Sequence, residues 1–395
     1  MDNLKKWKPD PSKGEVFTPI ELVNLILDEI PSDVWLNSKS NFLDPCMGTG
    51  TFLSEIVRRL VDIYGYSELD AKSRVYGYEI RIKYINKLKR RGYVNIHHKD
   101  FLSDKIKMKF DVVIGNPPYQ EVDNNGKSKG GGKGGANNLW SKFIIKSMEI
   151  SDNVFFITPP SFLSPNHLVL KKMYESGGLK LLKIFDESPF IGVGTQACYY
   201  YWSKNYDGLC KIGGESISLK DKILPNSSNP IDFSIFNKFF SKKEKYTFES
   251  NSQLHKTNKK HLLSVTKDDV FKYKTYHASK IIYSSFMTEN YPKLKVVISD
   301  SGYLNPIIDT NCNTTQHSFF HIFDSKADAE FLIKLLNTKL YKHCLNLSKF
   351  SGFFHGEVLK NIPKISSDTN YSDYDLYKKF ELTDLEIQYI ENNVK

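Results

Sequence analysis

The turn DPCMGTG, residues 44–50, decides the predicted fold because it separates two segments of different periodicity. Residues 41–45 (NFLDP) are a short apolar run that predicts a strand, and residues 51–64 (TFLSEIVRRLVDIY) have the apolar spacing of an amphipathic helix. Glycines in such a turn let the backbone approach a ligand closely, and the first turn of a helix presents unpaired N–H groups. The segment is therefore a candidate ligand-binding crossover, although tight turns without a ligand share this pattern.

The same rhythm of strand and helix continues on both sides of this turn. Residues 19–30 have helical spacing, with Pro19 in the first turn. Strands that alternate with helices over about 190 residues predict a doubly wound, parallel α/β sheet. The other predicted strands are 75–80, 95–102, 109–119, 153–160, 180–186 and 195–203, and the other predicted helices are 68–73, 81–92, 138–150 and 166–178.

The alternation stops near residue 204. Residues 205–395 are rich in Ser, Asn and Lys with short aromatic runs, and a helix predicted over 326–345 is their clearest element. We therefore predict two domains, 1–204 and 205–395, the second of mixed α+β structure. Residues 121–138 (EVDNNGKSKGGGKGGANN) cannot form a core, so we predict a mobile loop there. Its lysines are candidates for phosphate contacts, and an insertion without a role is the alternative.

Composition excludes several classes of protein. The chain has 395 residues, 40% hydrophobic and 25% charged, as expected for a globular protein with a core. It has no run of about eighteen apolar residues and no apolar signal segment at its start, so we expect a cytoplasmic protein without a membrane span. The five cysteines are scattered without a CxxC pair, which argues against disulfides and against a zinc site. We expect no metal.

The basic residues are distributed unevenly. The net charge is +10, and residues 238–295 contain 13 Lys against 5 acidic residues. A basic surface attracts nucleic acid, although a merely well-solvated surface has the same composition. Every Arg lies at or before Arg91, so the C-terminal half has none for a bidentate contact to guanine. Candidate phosphate contacts are Lys256, Lys259, Lys260, Lys272 and Lys274, and Asn258, Gln316 and His317 are candidates for base edges; an ordinary surface role is the alternative for each.

Two further features follow predicted strands. Glu79 ends the strand after the glycine-rich turn, where a carboxylate grips a ribose diol in sheets of this class; a solvated acid at a strand end is the simpler explanation. Asn116-Pro117-Pro118-Tyr119 (NPPY) follows the apolar strand FDVVIG. Two consecutive prolines end that strand and fix a stiff turn, which would hold Asn116 and Tyr119 at the carboxyl edge of the sheet. A Pro-rich loop with a packed Tyr is the alternative.

In their order along the chain, these motifs resemble the gamma class of DNA amino-methyltransferases, in which a target-recognition region follows the catalytic domain. The resemblance implies a Rossmann-like class I fold that binds S-adenosylmethionine (SAM). It also implies methylation of N6 of adenine in double-stranded DNA, with residues 205–395 as the target-recognition, DNA-binding domain. The resemblance covers roughly residues 14–203 and rests on Phe17-Thr18-Pro19, DPCMGTG, Glu79, Asp100-Phe101 and NPPY.

The resemblance implies a role for each matching residue. Phe17, Thr18 and Pro19 would line the methionine end of SAM, and Glu79 would accept hydrogen bonds from the ribose hydroxyls. Asp100 would accept one from the cofactor's adenine amine, with Phe101 packed on that ring. The carboxylate and sulfonium side would be wrapped by residues of the glycine-rich turn, namely Asp44, Cys46, Gly48 and Gly50.

NPPY suits the chemistry of an exocyclic amine. The lone pair of the adenine N6 amine is delocalised into the ring, so the amine is a poor nucleophile. Two acceptors on its two hydrogens, the Asn116 side-chain oxygen and the Pro117 carbonyl, would pull it toward tetrahedral geometry and free the lone pair. Positioning and oriented dipoles then supply most of the acceleration, without a strong general base.

The target amine is inaccessible in a duplex, so the base must flip into the site. Unstacking costs a few kcal/mol, and aromatic stacking in the pocket offsets it by about 1–3 kcal/mol per base. Tyr119 is the predicted stacking residue on one face of the base. Phe190 is the candidate for the other face, with Phe185 and Phe162 as competitors and a role in the core as the alternative for each.

Other functions remain compatible with these residues. NPPY suits the planar amide of a protein glutamine equally well, and RNA adenine is another acceptor. A non-catalytic DNA-binding specificity subunit is a further interpretation, against which the intact NPPY, Glu79 and glycine-rich turn argue. The long basic C-terminal region favours DNA. We expect methylation without cleavage by a monomer, with a separate restriction endonuclease as a candidate partner.

Overall fold

The structure divides the chain into two compact units, Met1–Lys220 and Asp221–Lys395. This division lies after the predicted one at 204/205, because a hairpin of residues 210–217 joins the sheet of the first unit through pairing of Leu181 with Lys211. The predicted mobile loop 121–138 lies, except for its last residue, outside the described residues. The computed structural model describes residues 17–119, 138–190, 194–278, 280–301 and 306–394.

A nine-stranded sheet organises the first unit, in the order β3-β2-β1-β4-β5-β7-β6-β8-β9. The predicted alternation of strands and helices is confirmed, with bounds that differ by a few residues. The strands are β1 (Phe42–Asp44), β2 (Val75–Glu79), β3 (Asn95–His98), β4 (Val112–Gly115), β5 (Asn153–Thr158), β6 (Gly177–Ile184), β7 (Cys198–Lys204), β8 (Cys210–Ile212) and β9 (Glu215–Ile217). The helices are α1 (Ile20–Leu27), α2 (Ser32–Leu36), α3 (Thr51–Asp62), α4 (Glu68–Ser73), α5 (Ile82–Arg90), α6 (Leu139–Ile150) and α7 (Leu168–Ser176).

The predicted parallel arrangement holds for β1 to β5, which are paired in parallel throughout. It fails at β7, which runs antiparallel to both β5 and β6 and lies between them. The described residues between β6 and β7, 185–190 and 194–197, form no helix, and a parallel connection usually needs a helical crossover. The sheet is therefore mixed. Its parallel part consists of β1 to β5, and the sequence motifs follow strands of this part.

Both faces of the first sheet are covered. On β7, Tyr199 and Tyr201 belong to the core that includes α1 and α3. Their neighbour Trp202 points the other way, and its ring N–H donates to the carbonyl of Met173 on α7 at 3.0 Å. Since side chains alternate across a strand, this pattern requires helices on the two faces, as the doubly wound prediction proposes.

The second unit has two small four-stranded sheets and a group of helices. The first sheet has the order β11 (Glu249–Ser250), β18 (Ser318–Ile322), β15 (Lys295–Ser299) and β16 (Ile307–Asp309), and the second has the order β12 (Leu263–Ser264), β14 (Lys280–Ser284), β13 (Tyr273–His277) and β17 (Asn313–Thr314). Short pairs join β10 (Lys245–Tyr246) to β21 (Ile362–Pro363) and β19 (Lys349–Phe350) to β20 (Phe353–Phe354). The helices are α8 (Pro230–Phe240), α9 (Lys326–Leu336), α10 (Lys339–Leu347), α11 (Gly356–Leu359), α12 (Asp373–Lys379) and α13 (Asp384–Asn393).

The helices of the second unit share one apolar core. Phe239 of α8 is fully buried between Tyr341 of α10 and Phe380, with ring centroids 4.9 and 5.4 Å away. The prediction of a single helix over 326–345 is wrong, because the helix is interrupted at Asn337 and Thr338, between α9 and α10. Apolar spacing continues through that break, so periodicity alone does not reveal it.

Candidate active site

Four predicted site residues lie at the carboxyl ends of adjacent parallel strands. Asp44 is the last residue of β1, Glu79 is the last of β2, and Asn116 directly follows β4. Asp100 lies two residues beyond the end of β3. Because β1 is paired with both β2 and β4, and β2 with β3, these residues share the edge of the sheet where α/β proteins bind ligands.

The glycine-rich turn has the backbone shape that its sequence predicts. Gly48 and Gly50 have φ values of 49° and 80°, in the left-handed region where glycine carries no penalty. A Cβ at Gly50 would lie 2.7 Å from the side chain of Leu88, whereas one at Gly48 would meet nothing within 4 Å. Gly50 therefore permits close packing of α3, and Gly48 leaves open space beside the turn.

The carboxylate of Glu79 is fixed by backbone N–H groups. Its Oε2 accepts from the N–H of Gly48 at 3.1 Å, and its Oε1 accepts from the N–H of Arg81 at 2.9 Å. Burial raises the pKa of Glu79, and these hydrogen bonds offset part of the rise. Glu79 is thus a held group at the edge of the sheet, not a solvated acid.

Asp44 is buried beside the start of the turn. Its Oδ1 accepts from the N–H of Cys46 at 3.0 Å. A Cβ at Gly115 would lie 2.8 Å from the same oxygen, so β4 needs a glycine where it passes Asp44. Burial raises the pKa of Asp44 to about 7, against the lowering effect of the hydrogen bonds from Cys46.

Asn116 joins the N-terminal motif to the glycine-rich turn. Its side-chain Nδ2 donates to Oγ1 of Thr18 at 3.4 Å, and its backbone N–H bonds to the thiol of Cys46. Burial raises the pKa of that thiol well above its usual range, so Cys46 is a neutral packing group. Three segments that are distant in the sequence therefore meet at NPPY.

The rest of the N-terminal motif flanks the same place. Pro19 is the cap residue of α1, and its carbonyl accepts from the N–H of Val23 at 3.0 Å. Phe17 and Thr18 precede it and are half-buried. Since Thr18 contacts Asn116, this segment lies beside NPPY.

The aromatic residues proposed to stack on a base lie against the core of the first unit. Tyr119 is half-buried, and its hydroxyl is buried without a hydrogen-bond partner among the described residues. Phe190 belongs to the core against which Tyr119 packs and is 5% exposed. Phe185 is half-buried against this core, whereas Phe162 is fully buried against Tyr200. The structure therefore favours Phe185 and Phe190 over Phe162 as neighbours of Tyr119.

Asp100 and Phe101 have different surroundings. Asp100 is exposed and its Oδ1 caps the next turn by accepting from the N–H of Leu102 at 2.9 Å. The ring of Phe101 is 1% exposed and stacks on Phe143 at 5.3 Å. The Phe101 ring is thus already packed inside the protein. Its packing on the cofactor's adenine stays a prediction.

Lys146 on α6 holds the segment that follows β3, which the sequence interpretation missed. Its Nζ donates to the carbonyls of Phe101, Leu102 and Asp104 at 2.5, 3.1 and 2.6 Å. A lysine on an amphipathic helix is usually a solvated residue, so no local pattern marks this one. Its position makes it a positioning group for the loop that carries Asp100.

The described residues contain neither of two kinds of feature, a group of metal ligands and a membrane-spanning helix. No group of three or more His, Cys, Asp or Glu is arranged to hold a metal ion in the part of the chain that the structure describes. None of the helices described there has the length and apolar character needed to cross a membrane. All five cysteines are free thiols.

Part of the chain matches a known protein family. Residues 53–190 match the family described as Eco57I restriction-modification methylase. The matched segment includes Glu79, NPPY and Phe190. Because of this similarity we call residues 53–190 the methylase domain. Its cofactor is SAM, whose sulfonium carries the methyl group to be transferred.

Curated relatives match this chain to different extents. An uncharacterized adenine-specific methylase of Mycoplasma pneumoniae is 23% identical in an alignment of 348 positions, and the match covers 61% of this chain and 80% of that protein. The type II methyltransferase M.VspI of a Vibrio species is 37% identical over 112 residues, 27% of this chain and 26% of that protein. The type II methyltransferase M.HincII of Haemophilus influenzae is 26% identical over 238 residues, 55% of this chain and 42% of that protein. The chain thus spans less than half the length of these two type II enzymes.

A solved structure extends the likeness of fold beyond the methylase domain. The cryo-EM structure of a DrdV–DNA complex aligns with a TM-score of 0.51 and 11% identity, covering 94% of this chain and 57% of that chain. At this identity the likeness concerns the fold alone. The coverage includes both units.

The residues at this edge of the sheet fit SAM. The open space beside Gly48 and the buried carboxylates of Asp44 and Glu79 lie together at the carboxyl edge. Carboxylates suit the hydroxyls and positive groups of the cofactor, and a turn without side chains allows close approach. These residues would hold the cofactor, and SAM would supply the methyl group.

We predict that Asp44 makes the free energy of unfolding depend on pH. Burial raises the pKa of Asp44 to about 7 from an ordinary value of 3.8, so the folded protein keeps a proton that the unfolded chain loses. The contribution of this group to stability therefore falls as the pH rises between those values, by at most roughly 1.4 kcal/mol per pH unit. In urea titrations of the cofactor-free protein, Asp44→Asn should gain stability relative to the wild type between about pH 5 and about pH 8. Parallel pH profiles for the two proteins would contradict the raised pKa.

We also predict that Lys146 supports cofactor binding. Lys146→Met removes three hydrogen bonds to carbonyls and should loosen the loop after β3, weakening SAM binding about tenfold, since bonds to a charged group are worth about 1.5–3 kcal/mol. The rate at saturating SAM should change little. Isothermal titration calorimetry checks the affinity, with Lys146→Arg as the matched control that keeps part of the bonding. An unchanged affinity in Lys146→Met would show that the loop is held by other contacts.

Proposed function

We propose that the protein is a site-specific DNA methyltransferase that transfers a methyl group from SAM to N6 of an adenine flipped out of double-stranded DNA. The contact of Asn116 with Thr18 and Cys46, at the edge that carries Asp44 and Glu79, is the observation that carries this proposal. It joins the acceptor motif to the predicted cofactor site. The curated relatives with adenine-specific or type II methyltransferase names support the choice of DNA adenine.

The proposed mechanism assigns the amine to Asn116 and Pro117. The Asn116 Nδ2 donates to Thr18, which turns the side-chain oxygen Oδ1 away from Thr18 and makes it available as an acceptor. Pro117 is buried, so its carbonyl belongs to a fixed backbone. Both oxygens accept the amine hydrogens and align the lone pair with the methyl group. SAM supplies that methyl on a positively charged sulfur.

Tyr119 is proposed to receive the flipped base. Its buried hydroxyl has no partner among the described residues, and an unsatisfied buried hydroxyl costs about 1–3 kcal/mol. A polar base that enters the site can satisfy this hydroxyl while stacking on the ring. Phe190 or the half-buried Phe185 is the proposed second aromatic neighbour of the base.

The second unit is the proposed target-recognition domain. Among the described residues, no carboxylate is ion-paired with Lys256, Lys259, Lys260 or Lys272, which suits contacts to phosphates. Lys274 differs, because its Nζ is paired with the carboxylate of Asp309 at 2.6 Å. We therefore rank Lys274 last among the five phosphate candidates.

The alternatives differ in the acceptor. A protein glutamine or an RNA adenine would fit the same pair of oxygens, and a non-catalytic specificity subunit would need none of them. The methylase match covers NPPY, and unpaired lysines in the second unit favour a polyanion. We propose a cytoplasmic monomer that acts on DNA without cleaving it, beside a separate restriction endonuclease.

We predict that Asn116→Ala abolishes methylation. Loss of one of the two acceptors should reduce the rate constant by about 100-fold or more, the range found when one preorganised polar group is removed. Expression in a host without DNA methylation, followed by modification-sensitive sequencing, should show N6-methyladenine at one short motif for the wild type alone.

Two controls distinguish a loss of catalysis from a loss of cofactor binding. Asn116→Ala should bind SAM with unchanged affinity in calorimetry, because its side chain faces the amine and not the cofactor. Thr18→Val, which releases the Asn116 side chain and removes one hydroxyl of the predicted cofactor site, should lose about fivefold in rate at saturating SAM, since one hydrogen bond is worth about 1 kcal/mol. Methylation of RNA or protein in place of DNA, or full activity in Asn116→Ala, would refute the proposal.

A further inference from the structure

A three-residue turn, Thr315–His317, connects the two small sheets of the second unit. It begins after β17, which pairs with β13 of one sheet, and ends at β18, which pairs with β15 of the other. Gln316 and His317 are both partly exposed, while their neighbours on each side are buried. The turn therefore presents two adjacent polar side chains from a firmly anchored backbone.

Several hydrogen bonds fix the backbone of this turn. The N–H of Thr315 donates to the carbonyl of Tyr276 at 3.0 Å, and the N–H of Asp300 donates to the carbonyl of His317 at 3.3 Å. The Thr315 hydroxyl is 2.7 Å from Nδ1 of His277. A rigid backbone lowers the entropy cost of recognition by the side chains that it carries.

The side chain of His317 is oriented by a carboxylate. Its Nδ1 lies 2.6 Å from Oδ2 of Asp300, a side chain that is 11% exposed whereas that of His317 is 42% exposed. Since a carboxylate only accepts, Nδ1 carries the hydrogen, and Nε2 of the neutral ring is an acceptor. The ring thus offers an acceptor of fixed direction.

The side chain of Gln316 is oriented in a complementary way. Its Oε1 accepts from the backbone N–H of Lys256 at 2.9 Å. The amide NH₂ group then remains as the donor, and no described residue accepts from it. Adjacent residues of the turn therefore present one donor and one acceptor, the two functions that distinguish base edges in a major groove.

The surroundings of the turn are positively charged. Burial and, after it, the nearby positive charges, foremost that of Lys256, lower the pKa of His277 to about 4. Lys280 is exposed, and no carboxylate is ion-paired with it or with Lys256 in the described part of the chain. A duplex that contacts these lysines through its phosphates would bring its bases to the turn.

We propose that the turn Thr315–His317 reads base edges in the major groove of the target DNA. Gln316 donates to an acceptor of a purine, its N7 or the O6 of guanine, and His317 accepts from the exocyclic amino group of an adjacent adenine or cytosine. The inference rests on the proposed function, since it requires duplex DNA as the substrate. It names the residues that set the recognition sequence.

The test compares methylation rates on duplexes that differ from the recognition motif by one base. Gln316→Ala and His317→Ala should each lower discrimination about tenfold or more at one or two positions and leave the other positions unchanged. His321→Ala is the matched control, because that histidine lies on β18 outside the turn, and it should keep the wild-type profile. Lys280→Ala should weaken binding equally on all sequences and reduce its dependence on salt.

A second substitution at Gln316 tests the proposal without relying on a loss of function, which misfolding could also cause. Gln316→Glu retains the oxygen that accepts from Lys256 and replaces the donor by an acceptor, so the preference at its position should move from a purine acceptor toward an amino group. Unchanged profiles in all three turn variants, with methylation still lost in Asn116→Ala, would overturn this inference and leave the proposed function standing. Absence of DNA methylation by the wild type would instead overturn both.

Discussion

The site depends on one constraint: adjacent parallel strands end at the same edge of a sheet. β1, β2 and β4 are neighbours, so Asp44, Glu79 and Asn116 meet there although up to 72 residues separate them in the chain. Close packing keeps these residues together, because Gly115 leaves just enough room for the Asp44 carboxylate. The prolines after Asn116 then stop the strand, so the acceptor atoms lie beyond the sheet and face a ligand.

Burial decides the electrostatics of this edge. Burial takes Asp44 and Glu79 out of water and raises the pKa of both carboxyls, and hydrogen bonds from backbone N–H groups offset part of this rise. The Tyr119 hydroxyl is buried without a partner among the described residues. Polar groups left under-satisfied in this way are typical of sites that are completed by a ligand. A cofactor and a base bound at this edge, as proposed, would account for these features together.

Local sequence patterns predicted the features that depend on neighbouring residues in the chain. The spacing of apolar residues predicted the strands and helices of the first unit, and the glycines, Glu79 and NPPY predicted residues that meet at one edge of its sheet. The antiparallel β7, the break at Asn337 and the position of the unit boundary depend on long-range pairing, so periodicity missed them. Lys146 and the Asp300–His317 pair were invisible for the same reason: their partners are 42 or more and 17 residues away, in other elements. Phe101 has a suitable residue type, but its ring is already stacked on Phe143.

Photocrosslinking tests the central claim, that NPPY faces the base to be methylated, most directly. A duplex with 5-iodouracil in place of the target adenine is irradiated in complex with the protein and SAM, and the crosslinked peptide is mapped by mass spectrometry. The account predicts a crosslink to Tyr119 that disappears when the analogue is moved to a flanking position. Crosslinks that map away from NPPY, or that do not depend on the position of the analogue, would contradict it.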